Sequence, residues 1–185
     1  EVPAGVTLLL VSDTRYALSL LSAAYFDYPA EKLKVIGITG TKGKTTTTFM
    51  VKGILEHAGY QVGLIGTIET IIGERHIPAN NTTPESCLIQ EYFAQMVEAG
   101  CQICVMEVSS QGLMMHRTAG IPFEIGIFTN LAPDHIGPNE HASFEEYAKC
   151  KGRLFAQCRI GIANVDDGHF DMVLDGHTCS LETIG

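Results

Sequence analysis

The chain contains the sequence Gly40-Thr41-Lys42-Gly43-Lys44-Thr45-Thr46, which lies between an apolar run, Val35 to Thr39, and a segment typical of a helix, Thr47 to His57. A β-branched strand, a glycine-rich turn and a helix start together form a phosphate-binding arrangement. Glycines let backbone N–H groups approach the anion, and the helix dipole attracts it. Here Lys44 would reach the outer phosphates and the Thr45 hydroxyl would bind Mg²⁺. The alternative is an ordinary glycine turn after a strand. We prefer the first interpretation and predict a nucleotide-phosphate site.

Composition places the chain among globular proteins. Its 185 residues are 45% hydrophobic and 18% charged, which is enough to bury a core and inconsistent with disorder. The formal net charge of -9 argues against a general nucleic-acid-binding surface. No uninterrupted apolar run approaches the length that crosses a bilayer, and no basic region leads into an apolar signal segment. We therefore expect a cytoplasmic protein that binds no nucleic acid and does not insert into membranes.

The six cysteines occur singly, in apolar or helical surroundings, without the spacing of a disulfide scaffold. Cys101 and Cys104 form the one close pair, and no second pair completes a zinc site. Reduced thiols in the core or at the surface are the interpretation that we prefer to a metal site.

Apolar runs alternate with segments of helical periodicity. This alternation predicts an α/β fold with a mainly parallel sheet and helices on both faces. The expected strands are 6–11, 35–39, 62–65, 103–108, 125–129 and 160–165, with a hairpin at 67–78 and one or two weak strands after residue 170. The expected helices are 13–26, 47–57, 84–99 and 144–157. The polar, proline-containing connector at 27–32 favours a domain boundary there.

Ligands of parallel sheets bind beyond the carboxyl ends of the strands, and polar side chains lie at such positions here. Glu107 lies between Met106 and Val108 in an otherwise apolar strand, where a carboxylate is costly unless it is paired or bound to metal. A nucleotide-bound Mg²⁺ is one explanation, and a salt bridge with a lysine is the other. His135 follows another strand, and from the residues alone a site role and a surface role are equally open for it.

Five motifs together give the sequence its resemblance to a known family. They are Gly-Thr-Lys-Gly-Lys-Thr-Thr at 40–46, Asn-Thr-Thr-Pro-Glu-Ser at 81–86, Met-Glu-Val-Ser-Ser at 106–110, His-Arg at 116–117 and Thr-Asn-Leu-Ala-Pro-Asp-His at 129–135. With these motifs in this order, nearly the whole chain resembles the Mur ligase family. Within that family it resembles the tripeptide synthetase branch, which adds the third amino acid to UDP-MurNAc-L-Ala-D-Glu.

The resemblance implies roles for individual residues. The residues implied to bind ATP are Gly40, Thr41, Lys42, Gly43, Lys44, Thr45 and Thr46. Those implied to bind the UDP-muramoyl dipeptide are Asn81, Thr82, Thr83, Ser109 and Arg117. The implied Mg²⁺ ligands are Thr45, Glu107, His135 and Lys151, and the implied catalytic residues are Lys44, His135 and Lys151.

Lys151 is implied to be carbamylated, which would turn its ammonium group into an anionic oxygen ligand. The family pattern Tyr-x-x-x-Lys-x-x-Leu-Phe fits Tyr147, Lys151 and Leu154-Phe155. Lys149 is the competing candidate, but its spacing to Leu154-Phe155 is wrong. Without the resemblance, Lys151 would be interpreted as a solvated lysine on a helix.

The resemblance implies an ATP-dependent acid–amino-acid ligase of peptidoglycan precursor synthesis that works through an acyl phosphate. Its substrates would be UDP-MurNAc-dipeptide, an amino acid and ATP, and its cofactors ATP and Mg²⁺. The alternatives are another Mur-type ligase, a folylpolyglutamate synthetase or a non-catalytic nucleotide-binding fragment. Residues 1–32 are expected to end an N-terminal UDP-binding domain and its linker. Residues 33–185 are expected to form an incomplete central ATP-binding domain without its C-terminal domain, which would leave the chain alone inactive.

Overall fold

The structure of this chain, a computed structural model, describes residues 3–134, 136–138 and 141–185. Within this part of the chain the strands are β1 Lys34–Thr39, β2 Val62–Ile65, β3 Glu69–Ile72, β4 Arg75–Pro78, β5 Ile103–Glu107, β6 Phe123–Phe128, β7 Cys158–Asn164 and β8 Ser180–Ile184. The helices are α1 Thr14–Tyr25, α2 Lys44–His57, α3 Ser86–Glu98, α4 Ser110–Met114, α5 Phe144–Gly152 and α6 Phe170–Leu174. Short 3₁₀ helices lie at Pro29–Lys32 and Arg153–Ala156.

The described strands form one sheet in the order β4-β3-β2-β5-β1-β6-β7-β8. All pairs from β2 to β8 in this order are parallel, and β3 and β4 add an antiparallel hairpin at one edge. The predicted mainly parallel sheet is therefore confirmed. Because β1 lies between β5 and β6, the carboxyl ends of these three strands meet at one edge of the sheet.

Helices cover both faces of the sheet, as predicted. The larger hydrophobic cluster combines side chains of one sheet face with buried residues of α3 and α5: Val35, Met106, Phe123, Phe128, Phe93, Met96, Tyr147 and Ala148. On the other face, Ile36, Ile38, Val62, Ile103 and Val105 pack against Val51 and Leu55 of α2. Alternate residues of the buried strands point to opposite faces, so nearly every position of β1 and β5 is buried.

Some elements differ from the sequence predictions. The apolar run at 6–11 forms no strand and is exposed, because it lies outside the sheet and no strand pairs with it. The helix predicted at 144–157 changes to a 3₁₀ helix at Arg153. The short helices α4 and α6 were not predicted. No helix in the described part of the chain has the length and apolar character needed to cross a membrane.

We expect Met96→Ala to lower the free energy of unfolding by about 2–5 kcal/mol, because it leaves a cavity in the core. The Met96 side chain is 0% exposed and packs against Gly63, whereas Met50 on α2 is 61% exposed. The matched control Met50→Ala should change the stability by no more than about 0.5 kcal/mol. Urea unfolding followed by circular dichroism measures both values, and equal costs would contradict the packing of α3 on the sheet.

Candidate active site

The glycine-rich sequence forms a tight loop between β1 and α2, as predicted. Gly43 is the residue before α2 and has a φ of 82°, a left-handed conformation that favours glycine. Gly40 has a φ of 150°, and a Cβ atom there would collide with the hydroxyl of Thr129. Glycine is therefore required at Gly40 by its close approach to the segment after β6.

That segment holds the loop in place. The Asn130 side chain accepts a hydrogen bond from the Lys42 amide at 2.9 Å and donates one to the Lys42 carbonyl at 3.0 Å. The Thr129 hydroxyl donates to the same carbonyl at 2.9 Å, and the Thr41 amide donates to the Asn130 carbonyl at 2.9 Å. The loop is thus fixed in shape before any ligand binds. Thr129 and Asn130 belong to the motif at 129–135, but the sequence alone did not predict this role for either residue.

The Lys44 side chain folds back over the loop. Its Nζ donates to the carbonyl oxygens of Gly40 at 3.0 Å and Thr41 at 3.1 Å. Burial lowers the pKa of Lys44 below its ordinary value, although the charges of Glu107 and Asp134 act in the opposite direction. Lys44 also lines the cavity described below, so the ammonium group stands at the boundary between the loop and the cavity.

Lys151 lies against the same loop. It is 1% exposed, and its Nζ donates to the Gly40 carbonyl at 2.8 Å and lies 4.3 Å from the centre of the Tyr147 ring. Burial and then the charge of Lys44 lower the pKa of Lys151 to about 7. The interpretation of Lys151 as a solvated helix lysine is therefore wrong. Lys149, the competing candidate for carbamylation, is exposed.

Glu107 ends β5 beside the loop and is 1% exposed. Its carboxylate accepts hydrogen bonds from the Thr45 hydroxyl at 2.9 Å, from the Thr67 amide at 2.9 Å and from the Thr67 hydroxyl at 3.0 Å. A Cβ atom at Gly66 would lie 2.7 Å from the same carboxylate, so glycine leaves room for it. Among the described residues these neutral donors, rather than a lysine salt bridge, explain how the buried carboxylate is tolerated.

The side chains beside the loop fit the chemistry of Mg²⁺. This ion prefers hard oxygen ligands and keeps several waters, so a hydroxyl and a carboxylate next to a nucleotide form a suitable partial ligand set. The Thr45 hydroxyl and the Glu107 carboxylate are such a pair. His135, predicted as a metal ligand and catalytic residue, lies outside the described residues. Within the described part of the chain, no three His, Cys, Asp or Glu side chains cluster as a metal site.

A cavity of about 180 Å³ opens beside Lys44. It brings together every residue implied to bind the muramoyl substrate, namely Asn81, Thr82, Thr83, Ser109 and Arg117. The remaining lining residues are Ser110, Gln111, Met114 and His141. The segments that contribute these residues are far apart in the sequence and follow β4, β5 and β6.

Hydrogen bonds fix one wall of the cavity, formed by Thr83, Ser109 and Arg117. The Thr83 hydroxyl donates to the Glu107 carbonyl at 3.0 Å and accepts from the Ser109 amide at 2.9 Å. The Arg117 guanidinium donates to the Thr83 carbonyl at 3.0 Å and pairs with Glu85 at 2.5 Å. Thr83 therefore connects the end of β5, at Glu107, to this wall. These contacts hold the Arg117 guanidinium group in the lining of the cavity.

Sequence reasoning missed four lining residues. Ser110 lies in the motif that was quoted, but its hydroxyl was given no role. Gln111 and Met114 lie on α4, which was not predicted. His141 lies 2.9 Å from the Ser110 hydroxyl through Nε2 and is 1% exposed. A single histidine in a polar loop carries no local signal that would have predicted this position.

Comparison with families and with curated proteins gives consistent results. The Mur ligase middle domain family matches residues 38–185. The chain is 51% identical over 167 residues to the UDP-N-acetylmuramoyl-L-alanyl-D-glutamate--2,6-diaminopimelate ligase of Clostridium perfringens, which covers 90% of this chain and 34% of that protein. The protein of the same name in Caldanaerobacter subterraneus subsp. tengcongensis is 44% identical over 182 residues, which cover 98% of this chain and 37% of that protein. The chain thus spans about a third of the length of these relatives.

Solved structures share the fold. A UDP-N-acetylmuramoyl-L-alanyl-D-glutamate--2,6-diaminopimelate ligase superposes with a TM-score of 0.82 at 25% identity, over 98% of this chain and 38% of that one. A Mycobacterium tuberculosis folylpolyglutamate synthase, solved with ADP and AMPPCP, gives a TM-score of 0.71 at 16% identity. The match covers 91% of this chain and 46% of that one. The second likeness shows the fold alone. Because the family model matches most of its length, the chain belongs to the Mur ligase family, of which it contains the middle domain.

Proposed function

We propose that this chain is the ATP-binding part of a ligase that adds the third amino acid to UDP-MurNAc-L-Ala-D-Glu in peptidoglycan precursor synthesis. The observation that supports this proposal most is the shared cavity of Lys44, Arg117 and the Asn81-Thr82-Thr83 segment. This cavity would place the phosphate loop beside the residues that bind the anionic acceptor, the UDP-muramoyl dipeptide. The names of the relatives favour 2,6-diaminopimelate as the amino acid, and the nucleotide substrates favour the cytoplasm.

The proposed reaction has two steps. The acceptor carboxylate attacks the γ-phosphorus of ATP, which forms an acyl phosphate and releases ADP. The amino group of the incoming amino acid then attacks the acyl carbon, forming the amide and releasing phosphate and a proton. In both steps the protein mainly positions the reactants and stabilises charge. The loop amides and Lys44 would offset the charge of the phosphates, and Arg117 would orient the acceptor.

In this proposal Thr45, Glu107, His135 and carbamylated Lys151 hold Mg²⁺ next to the loop. The ion would supply neutralising charge to the β- and γ-phosphates. Two features of Lys151 favour carbamylation. A pKa of about 7 leaves a large neutral fraction of the amine near neutral pH, and only the neutral amine adds to CO₂. That addition forms an N–C bond, releases a proton, and replaces the repulsion from Lys44 by attraction.

We expect Mg-ATP to stabilise the chain and Lys44→Ala to abolish this effect, because the mutation removes the cation at the loop. Nucleotide at about 100 times its dissociation constant adds about 2.7 kcal/mol, which corresponds to about 5–11 °C in melting temperature for a domain of this size. Differential scanning fluorimetry measures the shift. The control Lys52→Ala removes a lysine of α2 that pairs with Glu56, and this variant should keep the shift. An undiminished shift in Lys44→Ala would refute the role of Lys44.

We expect ¹³C-labelled bicarbonate to give a carbamate signal in the NMR spectrum of the wild-type protein near neutral pH. The signal should disappear in Lys151→Ala and persist in Lys149→Ala, because Lys149 is exposed on the same helix. Acidification below the Lys151 pKa of about 7 should weaken the signal, since the protonated amine does not add to CO₂. A signal that survives Lys151→Ala would assign the modification to another amine.

A further inference from the structure

His141 lies in the wall of the cavity, and the proposed function gives it no role. The side chain is 1% exposed, and Nε2 lies 2.9 Å from the Ser110 hydroxyl. Its ring centre lies 5.2 Å from that of Tyr147. The residue therefore contacts two different elements, Ser110 of α4 and Tyr147 of α5. A buried imidazole in contact with two site elements is well placed to hold them in register.

On one side, His141 fixes the start of α4. Ser110 is the first residue of this helix and is 4% exposed. The preceding residue, Ser109, caps the helix by accepting a hydrogen bond from the Gly112 amide at 3.0 Å. The Arg117 amide donates to the Gly112 carbonyl at 2.9 Å just beyond the helix. A shift of Ser110 would therefore move the wall that carries Ser109 and Arg117.

On the other side, His141 is connected to the phosphate loop. The ring packs against Tyr147, whose hydroxyl lies 3.1 Å from the Thr41 hydroxyl. The Thr41 hydroxyl in turn accepts a hydrogen bond from the Ala132 amide at 2.9 Å. Tyr147 and Thr41 are both buried, so these contacts are shielded from water. A series of contacts thus runs from the cavity wall that carries Ser109 and Arg117 to the phosphate loop. Its members are Ser110, His141, Tyr147 and Thr41.

We propose that His141 is a positioning residue that sets the distance between α4 and the phosphate loop. This inference rests on the proposed function, in which the cavity wall with Ser109 and Arg117 would hold the acceptor carboxylate and the phosphate loop would hold the γ-phosphate. Attack on phosphorus requires the reacting atoms to approach within about 3–3.5 Å, and a misplacement of about 1 Å costs about 100-fold in rate. Loss of His141 would leave both ligands bound while their reacting groups are no longer aligned.

The test compares variants of the complete ligase by steady-state kinetics. His141→Leu removes the Ser110 contact, Ser110→Ala removes it from the other side, and His141→Gln keeps a polar group near the position of Nε2. We expect His141→Leu to lower kcat about 100-fold while KM for ATP and for the muramoyl substrate change by less than about 3-fold. His141→Gln should recover most of kcat, and the double variant should lose no more than the worse single one. The control His76→Leu, on the exposed edge strand β4, should resemble the wild type.

Amide NMR spectra of the same variants give a readout that does not depend on activity. His141→Leu should shift amide signals both in α4 and in residues 40–45, whereas His76→Leu should shift neither set. Shifts confined to α4, or a kcat equal to that of the wild type, would overturn the positioning role. If His141→Leu does not fold, His141→Gln and Ser110→Ala decide the same question. A wild-type ligase that forms no tripeptide would refute the proposed function, and the amide shifts would still decide whether His141 connects the two walls.

Discussion

The carbonyl oxygen of Gly40 accepts hydrogen bonds from two lysines, and the chemistry of the site depends on this arrangement. Lys44 approaches it at 3.0 Å and Lys151 at 2.8 Å. Burial, and after it the charge of the Lys44 ammonium in a medium that screens charge poorly, lower the pKa of Lys151 to about 7. Nearby negative charge offsets the repulsion between these ammonium groups, as the charges of Glu107 and Asp134 do for Lys44. In the proposed function, nucleotide phosphates at the loop and a carbamate on Lys151 would add negative charge of the same kind.

The parallel sheet determines which groups meet this charge. With β1 between β5 and β6, the loop after β1 lies beside Glu107 on one side and Asn130 on the other. Neither neighbour is close to the loop in sequence, and both contacts depend on the register of the strands, in which Ile38 pairs with Glu107. A register shift of one residue would turn the Glu107 side chain to the opposite face. Burial of both faces by helices prevents such a shift.

Local chemistry explains which features could be predicted from the sequence. The tight glycine-rich loop was predictable because its residues lie within one strand–turn–helix unit. Glu107 was predictable because a carboxylate stood out in an apolar strand. The burial of Lys151 was not, since it depends on α5 packing against a loop 111 residues earlier in the chain. His141 gave no signal for the same reason, and the apolar run at 6–11 resembled a strand although the sheet offers it no partner.

The size of the cavity limits what this chain does by itself in the proposed reaction. The cavity volume of about 180 Å³ is below the range of about 300–1,000 Å³ that is typical of sites for small molecules. A nucleotide-sugar peptide is a large ligand. Lys44 and Arg117 line the cavity and would suit the phosphate and the carboxylate of the proposed reaction. An acyl phosphate is also destroyed by water, and an open cavity does not exclude water. In the proposed reaction the chain would bring the reacting groups together, and protection of the acyl phosphate would require that water be excluded from the cavity.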